Sequence, residues 1–253
     1  MHYLLMKMFV VITFSTSFLL ANSEKDNKAL LLELKDCCSI IMEQNLERIE
    51  LNRDGTRTSK NITPSNFSTQ SLKIYKRLQT NKTSLNSLAN NHDKEQLGQA
   101  LATFLSAARI AIANIQSKIN TDGDGTINPK NFYPAVFGRL VANEYKKRTG
   151  ISIKQTTTGR GMGARNSQYN SPDSWETQAL AKIESKGWDV NTGLSETTAE
   201  GFRYIHPLEI KKSCLSCHGD PKGEKDISGY IKEGYKLNDI RGGISVLIPT
   251  ATH

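Results

Sequence analysis

The sequence predicts an α+β fold, with long helices first and a mixed half of helices and short strands after residue 130. Apolar residues recur at helical spacing over 24–50 and 93–119. Short β-branched and aromatic runs at 150–157, 202–210 and 244–249 read as strands. The 253 residues are 37% hydrophobic and 23% charged, a globular balance with enough apolar material for a core. Only 4 Cys in that length exclude a disulfide-built mini-protein.

The chain opens with Lys7, an uncharged apolar stretch Met8–Leu20, and then Ala21, Asn22 and Ser23. This pattern reads as a secretory signal peptide over 1–21, cut after Ala21; the alternative is a retained anchor, although the stretch is short for a membrane span. Residues 22–253 then form one domain in the periplasm or outside the cell, mainly helical over 24–120 and mixed over 131–253.

In the first helix, Leu30, Leu31, Leu34, Cys38, Ile41, Met42 and Ile49 make one apolar stripe. Residues 51–68 are polar and turn-rich, a loop, and a second helix spans about 71–78. The segment 93–119, rich in Ala, Leu and Ile and interrupted only by Gly98, predicts the longest helix. A loop at 120–130 leads to a helix over 132–147 and then to the three strands. Asp173 with Glu176 reads as a helix-capping turn. No repeat recurs at a solenoid period.

Chemistry concentrates in Cys214-Leu-Ser-Cys217-His218, the C-x-x-C-H pattern of covalent haem c attachment. Thiols three residues apart can add to the two vinyl groups on one porphyrin edge, and the next residue then sets an imidazole beneath the iron. Cys214 and Cys217 are thus the attachment residues and His218 the proximal iron ligand. A thioredoxin-like site would not need the adjacent His, and a zinc site would need a second ligand pair that this chain lacks.

The net charge of +8 raises nucleic acid as a partner. Export and scattered Lys and Arg argue against it. An acidic redox or signalling protein, or an anionic membrane surface, suits the charge better.

Around the motif the chain resembles the haem c domains with a PAS-like α/β fold, found as secreted single-domain proteins and as the extracytoplasmic part of bacterial sensor kinases. The resemblance runs from Phe132 to Pro249 through FYPAVFGRLVANEYKKRTGISIKQTT, ARNSQYNSPDSWE, FRYIHPLEIKKSCLSCHGDPKGEKDISGY and EGYKLNDIRGGISVLIP. It implies helices on a PAS-like antiparallel sheet that carries one covalent haem c. Two departures stand out: Arg165-Asn166-Ser167, where the family reads Arg-Asn-Pro, and the glycine-rich 159–163 before it. The resemblance also implies a distal cysteine from the N-terminal helix. Cys38, central in the apolar stripe, is the choice, with Cys37 at its edge and Met162 in the glycine-rich loop as alternatives. Met42, His92 and His206 are weaker ligands, and Cys38 also reads as a small buried hydrophobe.

Asn120-x-Asp122-x-Asp124-Gly125 imitates half of a calcium loop. However, Asn131 stands at the twelfth position and Pro129 and Lys130 interrupt the loop, so a polar turn is the expectation. No hydrolase signature and no distal Arg–His pair of a haem peroxidase is recognisable, so no enzymatic activity is expected. The functional expectation is periplasmic electron transfer or redox reporting by a monohaem protein. The alternative is a sensor module that binds nitric oxide or carbon monoxide at a labile sixth site and signals through a partner.

Overall fold

A computed structural model describes residues 24–80 and 92–250, so the signal segment expected at 1–21 lies outside the described residues. The helices are α1 (Glu24–Glu50), α2 (Pro64–Thr80), α3 (His92–Asn114), α4 (Gln116–Asn120), α5 (Pro134–Thr149), α6 (Ser167–Asn170), α7 (Ser174–Ile183) and α8 (Leu215–His218). The strands β1 (Ser152–Thr156), β2 (Leu194–Thr198), β3 (Gly201–Glu209) and β4 (Ile240–Pro249) form one antiparallel sheet in the order β1-β4-β3-β2. The α+β class and the placing of long helices before the sheet are as expected.

Helix α1 has the bounds its stripe predicts, and Leu34, Cys38, Met42 and Ile49 are fully buried. Helix α2 starts well before the expected residue 71, because Pro64 occupies the first turn, where its missing N–H costs nothing. The long helix expected over 93–119 is broken at Ile115 into α3 and α4. Asp173 caps α7 in a capping box with Glu176, as the sequence predicts. Strand β2, polar and at the sheet edge, was not anticipated.

One core joins the inner faces of α1, α2, α3 and α5 to the sheet, with Phe67, Phe132 and Phe137 in edge-on contact. Helix α3 lies directly on β3: a Cβ at Gly98 would come within 2.8 Å of the Tyr204 Cβ.

The loops 51–61 and 121–131 are copies of one device. Each has a single bridge pair (Leu51–Arg57, Thr121–Ile127), a left-handed Gly (Gly55, Gly125) and a positive-φ Asn at its end (Asn61, Asn131). They interlock reciprocally: Lys60 Nζ donates to the Thr121 carbonyl and Lys130 Nζ to the Leu51 carbonyl. The Arg53 amide donates to Asp122 Oδ2 (2.8 Å) and the Gly123 amide to Asn52 Oδ1 (3.3 Å). Lys130 Nζ also lies 2.5 Å from Asp122 Oδ1, with both side chains almost wholly buried. An ammonium therefore stands beside the carboxylate that a calcium ion would need, which accounts for the look-alike at 120–131.

Candidate functional site

Between the sheet and the side of α3 and α5 lies a cleft of about 670 Å³, within the usual range for small-molecule and cofactor sites. Strand β3 ends at Glu209, a one-turn helix over Lys212–Cys214 follows, and α8 carries the rest of the motif to His218. Cys214, Cys217 and His218 all line the cleft. The turn closes with the Gly219 amide donating to the Leu215 carbonyl (2.9 Å). A Cβ at Gly219 would come within 2.7 Å of that same oxygen, so glycine is required there. Neither cysteine is in a disulfide.

His218 is held from behind. Its Nδ1 lies 2.9 Å from Glu233 Oε2, which leaves Nε2 as the atom able to ligate a metal. Burial, with the charge of Arg241 acting the same way, lowers the His218 pKa to about 4, while Glu233 pulls in the opposite direction. The ring is therefore neutral at pH 7, with Nδ1–H donated to the carboxylate.

Glu233 is almost wholly buried. Burial opposes its ionisation, but the hydrogen bonds from His218 and Arg165 and the charge of Arg241 outweigh burial and hold its pKa well below the usual range. Arg165 organises this side: its guanidinium donates to Glu233 Oε1 (2.9 Å), Asp226 Oδ2 (2.6 Å) and the Cys217 carbonyl (2.7 Å). Sequence reading passed over Arg165 except as part of a family departure. Its three partners lie 52 to 68 residues away, beyond the reach of any local pattern.

The residues expected as a sixth ligand fall in different places. Cys37 and Cys38 are fully buried in the helical core and do not line the cleft. Burial pushes the Cys37 thiol up to about 12 and Cys38 also upward, so both are neutral thiols. The reason is geometric: the stripe centre of α1 faces α2, α3 and α5, whereas the motif sits at the far end of β3. Met42 is a core residue and Met162 is half-exposed, and neither lines the cleft. His92 begins α3. His206, one of the weaker ligand candidates, does line the cleft, with its Nδ1 3.2 Å from the Tyr204 hydroxyl.

The cleft lining gathers buried polar atoms without partners. Arg109 Nε, Gln116 Oε1, Tyr133 Oη, Thr156 Oγ1 and Arg241 Nε are shielded from water without a hydrogen-bond partner, and all five side chains line it. Buried polar atoms rarely stay unpaired. Ile227 and Tyr230, both exposed, add apolar surface to the lining. The lining therefore fits a largely apolar group with polar edges, with Cys214, Cys217 and His218 on one side of it. Among the described residues, no cluster of three His, Cys, Asp or Glu could hold a bare metal ion.

A family model described as Tll0287-like matches residues 39–249. The cyanobacterial heme-protein Tll0287, known from its crystal structure, aligns with a TM-score of 0.49 at 20% identity, covering 65% of this chain and 99% of that one. No curated protein matches the chain.

Proposed function

The chain belongs to the Tll0287-like family, and on that premise we propose that it is an exported monohaem c-type protein that passes or reports single electrons in the periplasm. The observation that carries this reading is the convergence of Cys214, Cys217 and His218 on one cleft whose polar lining atoms lack partners. The family takes its name from Tll0287, a heme-protein. Cys214 and Cys217 would form the thioethers and His218 Nε2 the proximal bond, and a haem held so supplies one-electron exchange. Glu233 fixes the His218 tautomer and strengthens the imidazole as a donor, which favours ferric iron. Arg165 holds Glu233 and, through the Cys217 carbonyl, the attachment turn.

The test is expression alongside cytochrome c maturation machinery, followed by a pyridine haemochrome spectrum and an intact mass. Native protein should carry one covalent haem, and Cys214→Ser with Cys217→Ser none. Native protein without covalent haem overturns the reading. Because Cys38 lies outside the cleft, Cys38→Ser should leave the haem spectrum unchanged.

A second reading is a gas sensor. It is favoured by the absence, among the described residues, of any sulfur in the cleft lining beyond the motif itself. Carbon monoxide decides between the two: an unshifted ferrous spectrum supports an electron carrier with six strong ligands, and ready binding supports the sensor.

A further inference from the structure

The positive charge of the cleft exceeds what its carboxylates can balance. Arg109, Arg165 and Arg241 line it, and behind them stand two buried acids, Asp226 and Glu233. Arg165 takes both acids, and Arg241 shares Glu233 with it at 3.3 Å. Of the other cations on this wall, Arg139 lies over the Tyr169 ring, Lys211 pairs with Glu209, and Lys212 is exposed.

Arg109 has no ion pair and no hydrogen bond among the described residues, and its Nε is shielded from water; so is the Nε of Arg241. The two guanidiniums also lie within electrostatic reach of each other. Burial first, opposed by Cys214 and then aided by the charge of Arg241, pushes Arg109 down to about 10, which leaves it cationic at neutral pH. Like charges in a low-dielectric cleft, each with an idle N–H, are costly unless an anion sits between them.

Local packing keeps the pair in place. Gly138 of α5 lacks the Cβ that would come within 2.9 Å of Arg109 Cδ, so the side chain lies flat against that helix. The unpartnered hydroxyls of Tyr133 and Thr156 lie in the same lining and can donate to an oxygen.

We propose that Arg109 and Arg241 form an anion subsite in the cleft that takes a carboxylate or small oxyanion through charge-assisted N–H donation. The ligand chemistry is shared by two sources, a propionate of the bound haem and a free anion; the first rests on the haem reading above, and the experiment separates them.

The experiment compares native haem-loaded protein with Arg109→Met. It records the propionate bending bands by resonance Raman and the binding of sodium formate and sodium nitrate by isothermal titration. Displaced propionate bands in the variant establish the haem's own carboxylate as the ligand. Binding of formate or nitrate to native protein, weakened about tenfold or more in Arg109→Met, establishes a free anion. If neither readout differs in a variant that carries haem by pyridine haemochrome, the subsite is refuted while the haem reading stands. If native protein carries no haem, the haem reading fails, and the formate and nitrate titration alone then decides the subsite. Should Arg109→Met not accumulate, Arg109→Lys, which keeps the charge and loses the guanidinium fork, is read by the same two measurements.

Discussion

Lys130 and Arg109 both carry charge into the interior, and the protein treats them in opposite ways. Lys130 has a carboxylate at 2.5 Å and a carbonyl from the opposite loop, and its own backbone is gripped by Arg48. Arg109 has no ion pair or hydrogen bond among the described residues, and the charge of Arg241 acts against it. The interlocked loops are a finished structure that needs nothing from outside. The cleft, by contrast, keeps buried polar atoms without partners along its lining. Stability and function thus occupy different places, and substitutions should separate them.

The largest effect is expected on the finished side. Lys130→Met keeps the apolar stem but leaves Asp122 buried without its ammonium, and the melting temperature should fall on the order of 10 °C. The haem content of the surviving folded protein should stay the same. A variant that melts normally would mean the loops are held by the backbone bonds alone.

On the cleft side, Glu233→Gln removes a negative charge behind His218, so ferric iron loses stabilisation and the reduction potential rises. Outer-shell partners change affinity roughly ten- to a hundredfold, which for one electron corresponds to roughly 60–120 mV. Redox titration of native and variant protein checks this, and an unchanged potential would break the link from Glu233 to iron.

Acid should distinguish the regions more gently. Burial opposes ionisation of Asp122, but hydrogen bonds from Lys130, the Arg53 amide and Asn128 outweigh it and hold the carboxyl at about 2. A depressed carboxyl stabilises the fold above its unfolded value near 3.9, and this contribution is lost as pH falls toward 2. Asp122→Asn, which copies the residue at the matching position Asn52, should be less stable at pH 7 and should close that gap between pH 4 and 2. Parallel melting curves across this range would remove Asp122 from the acid response.

Sequence reading served the two regions unequally. The bounds of α1 followed from its stripe, and the haem pattern at 214–218 from five adjacent residues, because both signals are local. The pairing of loops 51–61 and 121–131 was missed although both carry Asp-Gly-Thr and Lys-Asn at the same spacing. Each lysine serves a carbonyl 61 or 79 residues away, so neither loop alone shows why its lysine is there. Cys38 shows the same limit: periodicity places it on the buried face of α1, but not which part of the interior it meets, and it does not line the cleft. Arg109 drew no notice in its Ala-rich helix, since only the folded cleft shows its Nε buried without a partner.

The smallest effect tests the boundary between the regions. Gly138 lies where α5 touches the cleft, and an added methyl would come within 2.7 Å of Gln155 Nε2 and 2.9 Å of Arg109 Cδ. Both are points on flexible side chains, so Gly138→Ala should cost only about 1 kcal/mol, at the low end for overpacking, partly offset by the better helix propensity of Ala. The melting temperature would then move by only a few degrees. Arg109 cannot keep its course past α5 once that space is filled, however, so the readout that detects the anion in native protein, Raman band or titration heat, should change well beyond what the melt suggests. A change in the melt with no change in the anion readout would show that the guanidinium reaches its ligand by another path, and would sever Gly138 from the cleft.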